Sequence, residues 1–191
     1  MNRKSLMIIM FGLFMLLAAA CQKDASYDVL FRKVEEHRAV FAMTRDEAVA
    51  ALNLANVEGT DNMINLDEEL TAGDQNFRQR IQLDSSEMIE GYELVTRLPR
   101  SEAGYENAGE IVEAFLREYK PSGDEGDKVL DSVHSIDEMT FPKKPAVKLV
   151  TESWSSNDEG TPMKITYRIT NNVVNEEELS LVLQFFHIAA R

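Results

Sequence analysis

The sequence predicts an α+β fold, in which an N-terminal helix pair and one inserted helix pack on an antiparallel β-sheet. Apolar residues recur at helical spacing between residues 27 and 54, and again between 107 and 120. Strand-like alternation dominates residues 77–98 and 146–188. Helices and strands do not alternate regularly along the chain, and this order is typical of α+β rather than parallel α/β proteins.

The first twenty residues are distinct from this domain. Arg3 and Lys4 precede an uncharged apolar run over residues 6–20. As a helix this run would extend about 22 Å, which is short for a membrane span of about 20 residues. A charged start, an apolar middle and small residues at the end indicate a secretory signal peptide, which is removed.

The residues before the only cysteine carry a resemblance. Leu17-Ala18-Ala19-Ala20-Cys21 resembles the lipobox of bacterial lipoproteins, although the family prefers leucine where Ala18 stands. The resemblance implies cleavage before Cys21 and lipidation of its thiol. It therefore implies a protein held by lipid at the cell membrane or envelope, facing outside the cytoplasm. The alternative is ordinary signal cleavage, because three alanines also fit an A-x-A site.

The chain thus divides into a signal peptide over residues 1–20, a tether over 21–26 and a single α+β domain over 27–191. Hydrophobic residues make up 44% of the 191, which is enough to form a core. With Cys21 used as the anchor, no cysteine remains for a disulfide.

Acidic residues outnumber basic ones by 33 to 20, for a net charge of −13. Such a chain repels phosphate backbones, so we expect no nucleic-acid partner. The excess of carboxylates could also attract cations or a basic protein or peptide partner, although we favour the simpler explanation that follows. A surface that serves only solubility is the alternative explanation.

The N-terminal helical region has an apolar stripe interrupted by a histidine. Thr44 and Glu47 form a T-x-x-E capping box, which predicts a break near residues 43–44 and a second helix after it. We interpret His37 as a hydrogen-bonded core or boundary residue rather than a ligand. The stripe consists of Tyr27, Leu30, Phe31, Val34, His37 and Phe41.

The middle of the chain reads as a loop followed by a hairpin. Residues 58–76 are acidic and polar, and we expect a long loop with a short strand near 62–66. Residues 77–83 and 88–98 alternate around a polar turn, and Gly91 predicts a bulge. Phe77, Gln79, Ile81 and Leu83 share one face of the first strand.

After the inserted helix at 107–120, the pattern predicts an acidic loop at 122–127 and an irregular strand within 129–139. Three strands then form an antiparallel meander. They cover residues 146–154, 163–170 and 179–188, and the last is apolar on both faces, as a central strand would be.

No motif for nucleophilic catalysis, phosphate binding or dinucleotide binding occurs, and we predict neither catalytic residues nor a cofactor. His37, His134 and His187 are not linked by any metal-binding spacing. Asp67-Glu68-Glu69 and Asp124-Glu125 with Asp127 could attract calcium, but neither matches an EF-hand loop. We therefore predict no specific metal site.

These observations favour a membrane-anchored, extracytoplasmic lipoprotein that acts as a non-catalytic binding module. One alternative is an exported hydrolase whose site combines His134 or His187 with acidic residues. Another is a cation-responsive envelope sensor. Trp154, at the end of a predicted strand, is either a partner anchor or, as we favour, a core residue.

Overall fold

The computed structural model describes most of the predicted domain. The described residues are 26–54, 58–60, 62–121, 125–137, 150–156, 163–171, 175 and 177–188. The predicted leader and Cys21 lie outside them, as does nearly all of the predicted tether. The fold is α+β, as predicted, with helices packed on a seven-stranded antiparallel sheet.

Four helices and seven strands follow one another in the described part of the chain. They are α1 (Asp28–Arg38), α2 (Arg45–Ala51), β1 (Glu58–Thr60), β2 (Met63–Ala72), β3 (Gln75–Leu83), β4 (Ile89–Pro99), α3 (Glu102–Glu118), α4 (Glu125–Asp137), β5 (Val150–Ser155), β6 (Met163–Asn171) and β7 (Glu178–His187). The strand order is β1-β2-β3-β4-β7-β6-β5, so that the early meander and the late meander join where β4 pairs with β7.

The core lies on one face of this sheet, which we call the inner face. Helix α1 contacts β2 and β4, α3 contacts β4, and α4 contacts β5. The inward side chains of the central strands are almost completely buried beneath these helices. They include Phe77, Ile81, Tyr92, Leu94, Leu98, Ile165, Tyr167, Leu181, Leu183 and Phe185. No described helix covers the opposite face, which we call the open face.

The first two helices confirm the sequence interpretation. Helix α1 ends at Arg38 and α2 begins after the N-cap Thr44. The backbone N–H of Glu47 donates to Thr44 Oγ1 at 3.4 Å, and the backbone N–H of Thr44 donates to the Glu47 carboxylate at 2.9 Å. These bonds form the predicted capping box. The Thr44 N–H and the Thr44 hydroxyl both donate to the Glu47 carboxylate and so lower the pKa of Glu47.

The predicted hairpin is also confirmed, because β3 pairs with β4 across the turn after Leu83. The register shifts beside Gly91: Gln82 faces Gly91, but Leu83 faces Ile89, so one residue is extra. A Cβ at Gly91 would lie 2.9 Å from the Phe185 carbonyl oxygen of β7. The glycine therefore permits close approach of the neighbouring strand at the bulge.

The prediction of a long loop at 58–76 is wrong, because most of these residues form β1 and the ten-residue strand β2. The short strand expected near 62–66 is the first part of β2. The pairing of β2 with β3 shifts between Leu66 and Leu70. This irregularity breaks the alternation of apolar residues that would reveal a continuous strand. Leu70 and Ala72 beyond it are buried, as expected for a strand on a core.

The irregular strand predicted within 129–139 is also wrong, because Glu125–Asp137 is a helix, α4. It therefore replaces part of the predicted acidic loop, and two helices rather than one are inserted. Val129 of α4 is buried, and Ser132 Oγ accepts a hydrogen bond from the Tyr167 hydroxyl at 3.0 Å. Contacts with the sheet hold this polar segment in place.

The inserted helix α3 begins at Glu102, five residues before the predicted start. Ser101 is its N-cap, with its Oγ accepting from the Gly104 N–H at 3.2 Å. The three C-terminal strands form the predicted meander, and β7 is an interior strand that lies between β4 and β6. Strand β5 begins at Val150, and the predicted residues 146–149 lie outside the described part. None of the described helices is long and apolar enough to cross a bilayer.

Candidate functional site

Three polar side chains meet inside the core between α1 and the sheet. His37, Gln79 and Tyr92 have 3%, 1% and 1% of their surface exposed, respectively. The His37 ring stacks on the Tyr92 ring, with the ring centroids 4.1 Å apart and the planes 11° apart. Buried polar groups weaken a core unless they are hydrogen-bonded, so each bond in this cluster matters.

His37 makes only half of the hydrogen bonds it can make. Its Nδ1 lies 2.7 Å from the carbonyl oxygen of Lys33, one helical turn earlier. A carbonyl only accepts, so Nδ1 carries the proton and Nε2 of the neutral ring is an acceptor. Nε2 is shielded from solvent and has no hydrogen-bond partner among the described residues.

Burial lowers the pKa of His37, and this effect outweighs the opposite influence of the Lys33 carbonyl and of the Glu36 and Glu68 carboxylates. The ring is therefore neutral near neutral pH. The unprotonated Nε2 of a neutral imidazole can accept a hydrogen bond from a ligand donor.

Gln79 and Tyr92 form the rest of the cluster. The Tyr92 hydroxyl donates to Gln79 Oε1 at 2.7 Å, and Gln79 Nε2 donates to the carbonyl oxygen of Glu68 at 2.7 Å. This chain of bonds crosses from β4 through β3 to β2. Burial raises the pKa of the Tyr92 hydroxyl, which therefore stays protonated and keeps donating.

A pocket of about 300 Å³ lies beside this cluster, and both His37 and Gln79 line it. Its walls come from α1, from the end of α2 and from β2. Asn53 ends α2 in the left-handed region, at φ 51°, which asparagine tolerates better than most residues. The apolar part of the lining consists of Leu52, Leu54, Ile64 and Leu66.

The rim of the pocket is mostly acidic. Glu36, Asp67 and Glu68 contribute carboxylates, whereas Lys33 is the one basic residue in the lining. Lys33 Nζ lies 3.1 Å from the Glu36 carboxylate and 3.2 Å from that of Glu68, and so it ties α1 to β2. Burial alone would lower the pKa of Lys33, but its bonds to both carboxylates raise it.

The described histidines lack the surroundings that the hydrolase alternative predicts. A hydrolytic histidine needs a carboxylate and a hydroxyl within hydrogen-bond reach. His37 has neither as a partner, and His187, half-buried near Phe41 with ring centroids 6.2 Å apart, makes no such bond within the described part. His134 belongs to α4, but its side chain lies outside the described set.

Among the residues that the structure describes, no group of three potential ligands could hold a metal ion. Glu68 is paired with Lys33, and Glu69 lies 3.0 Å from Arg78 Nε. Glu125 accepts from the Ser155 N–H at 2.8 Å and so joins α4 to β5. Asp124 lies outside the described residues.

Trp154 is a core residue rather than an exposed anchor. It is 1% exposed, and its Nε1–H donates to the carbonyl oxygen of Tyr119 at 2.7 Å. This bond fixes the end of α3 against β5.

Sequence reasoning assigned His37 to the core but missed its partners. Gln79 was placed on the apolar face of its strand, and a glutamine at an inward position is the signal that marks a buried polar cluster. Nothing in the sequence indicated that Tyr92 would reach it from the next strand.

No family model matches the chain, and neither curated proteins nor solved structures give a significant match.

Proposed function

We propose that this chain is a membrane-tethered, extracytoplasmic lipoprotein that acts as a non-catalytic binding protein. The pocket beside His37 would hold a small ligand with an N–H donor on an apolar body. The observation that carries the proposal is the unpartnered Nε2 of His37, buried in a side chain that lines the pocket.

An unsatisfied buried acceptor costs about 1–3 kcal/mol. A ligand donor that reaches Nε2 would recover this cost, while its apolar body would cover the leucine and isoleucine side chains of the lining. Because Nε2 is shielded from solvent, binding would include a small displacement of rim side chains such as Lys33.

The charge of the rim sets a preference between ligands of the same shape. Three carboxylates surround one ammonium group in the lining, and this balance favours a cation. An aliphatic or aromatic primary amine therefore fits better than a carboxylate or a neutral alcohol. A net charge of −13 would likewise attract a basic ligand.

Titration calorimetry with three matched probes tests the pocket: 2-phenylethylamine, 2-phenylethanol and phenylacetate. We expect the amine to bind most tightly and phenylacetate not at all. Asp67→Asn should weaken the amine about threefold to tenfold by removing one rim charge. Glu106→Gln makes the same charge change at an exposed position on α3 outside the pocket and should leave affinity unchanged.

His37→Asn is the sharper variant, because the asparagine amide can keep the bond to Lys33 while the Nε2 acceptor is lost. Equal binding of the amine to this variant and to the unaltered chain would refute the role of Nε2. No binding of any probe would refute the pocket proposal.

The lipoprotein part of the proposal is supported by the lipobox resemblance at Cys21. Two or more acyl chains hold a protein stably at a membrane, whereas one chain does so only marginally. Mass spectrometry of the purified N-terminus tests this part. A diacylglyceryl group on Cys21 is the expected result, and an unmodified Cys21 thiol would refute it.

A further inference from the structure

The open face of the sheet has a charge that differs from the rest of the chain. Outward side chains of its strands include five basic residues and three acidic ones, although acidic residues outnumber basic ones by 33 to 20 overall. The basic residues are Arg78, Arg80, Arg97, Lys164 and Arg168, and the acidic ones are Glu69, Glu93 and Glu178. Each of the three glutamates is paired with an arginine, so the excess positive charge among these described residues lies at Lys164 and Arg168.

The strand register arranges part of this face as a row. Arg78 pairs with Val95, Val95 with Val182, and Val182 with Arg168, directly across four strands. Neighbouring strands are about 4.8 Å apart, so the two arginine backbones at the ends are about 14 Å apart. Two valines thus form an apolar floor between positive ends.

The floor lies at a shallow depression of about 520 Å³. Its charged lining consists of three basic and two acidic residues, which are Arg78, Arg80, Arg97, Glu69 and Asp74. Val182 is 6% exposed, although no described element covers this face. The flanking side chains therefore screen it, as the aliphatic stems of arginines commonly do.

The arginines differ in how firmly they are engaged. Arg80 Nη1 lies 3.1 Å from Glu93, a buried carboxylate that also accepts bonds from Gln82 and Gln184. Arg97 is held loosely, with its Nη1 3.7 Å from Glu178. Arg168 is exposed and makes no ion pair within the part of the chain that the structure describes.

We propose that the open face docks an acidic segment of a partner polypeptide. Carboxylates of that segment would meet Arg97 and Arg168, while its apolar side chains would cover Val95 and Val182. Arginine suits this role, because its guanidinium binds a carboxylate with two parallel hydrogen bonds.

Charge disfavours the other two occupants. Two copies stacked through their open faces would place like charges against each other. An anionic membrane would attract the open face but repel the acidic remainder of a chain with net charge −13. A short acidic segment meets only the positive face.

The test measures binding of a fluorescent peptide of alternating glutamate and valine by anisotropy, with the purified full-length protein. An alternating lysine and valine peptide is the matched probe of opposite charge. The double variant Arg97→Gln with Arg168→Gln removes the charges of the two least engaged arginines. Arg32→Gln, an exposed position on α1, is the control for a lost positive charge elsewhere.

We expect the acidic peptide to bind and to weaken about tenfold in the double variant, since each exposed charge contact contributes up to about 1 kcal/mol. Arg32→Gln should keep the affinity within about twofold, and added salt should weaken binding throughout. Circular dichroism confirms that each variant is folded.

Three results would overturn the inference. They are equal binding of the acidic peptide to the double variant, no binding of it at all, or flotation with phosphatidylglycerol vesicles that depends on Arg97 and Arg168 while the peptide does not bind. The last result would assign the face to lipid. None of them bears on the His37 pocket, which is on the inner side of the sheet.

Discussion

Replacing Tyr92 with phenylalanine removes one hydroxyl from the centre of the core and leaves the ring in place. The lost bond is 2.7 Å long and joins two side chains that are each 1% exposed. Gln79 Oε1 would then be buried without its donor. Leaving a buried acceptor unsatisfied costs about 1–3 kcal/mol, and we expect Tyr92→Phe to destabilise the protein by about 2 kcal/mol.

Urea unfolding followed by circular dichroism measures this change. For a domain of this size, about 2 kcal/mol corresponds to a fall in Tm of about 4–8 °C. Tyr119→Phe is the matched control, because the Tyr119 hydroxyl donates to the Phe31 carbonyl oxygen over 3.4 Å, near the limit for a hydrogen bond. Its other partner, the Glu35 carboxylate, is exposed and can bond to water instead. We expect it to cost less than about 1 kcal/mol.

If Tyr92→Phe lowered the free energy of unfolding no more than Tyr119→Phe, the bond between Tyr92 and Gln79 would not have the stabilising role that we assign to it. A double-mutant cycle with Gln79→Leu then isolates the pair, because both partners of the bond are removed together. The double variant should lose less stability than the sum of the two single variants. Simple additivity would mean that the hydroxyl and the amide do not interact.

Three further predictions use the same measurements. Burial lowers the pKa of His37 below its ordinary value of 6.5, so the histidine of the unfolded chain gains its proton first as the pH falls. The free energy of unfolding is therefore unaffected by this group above about pH 6.5. Below that pH it decreases by up to about 1.4 kcal/mol per pH unit, until the pKa of the folded state is reached. Comparing urea unfolding at about pH 7 and about pH 5 should show a smaller loss in His37→Asn, and equal losses would contradict a neutral buried ring. Trp154→Phe removes the N–H that the Tyr119 carbonyl accepts at 2.7 Å and should cost about 2–4 kcal/mol by urea unfolding, whereas no change would mean that this bond is not needed. Gly104→Ala should lower Tm rather than give the gain of about 1 kcal/mol expected in a helix, because the added Cβ would overlap the Pro99 carbonyl oxygen; a rise in Tm would contradict this tight junction of α3 and β4.

The sequence allowed prediction of the elements whose pattern is local. The capping box at Thr44 fixes a helix start through two bonds within four residues, and the hairpin of β3 and β4 follows from regular alternation around a short turn. Strand β7 was recognisable because apolar residues on both faces indicate a central position.

Elements that depend on distant contacts were not predictable in this way. The bulge between Leu66 and Leu70 hides strand β2, because a shift of register changes which side chains face the core. Helix α4 begins in an acidic stretch and is held by Val129 and by the Glu125 contact with β5. The residues of β5 that Glu125 contacts are distant in sequence, so the local pattern does not indicate them.

The candidate site shows the same division. A histidine on an apolar stripe predicts burial of His37, and the structure agrees. Its pocket requires Lys33 and Glu68 to meet across 35 residues of chain and requires the end of α2 to close one wall. Such a site follows only from the packing of helices on the sheet.

The most direct test of the account is the side-chain NMR spectrum of His37 during titration with 2-phenylethylamine. In the free protein the spectrum should report a neutral ring protonated at Nδ1, because that atom donates to the Lys33 carbonyl. We predict that the Nε2 resonance moves progressively and saturates as the amine donates to this atom. An Nε2 resonance that stays fixed at excess amine, or a free ring protonated at Nε2, would contradict it.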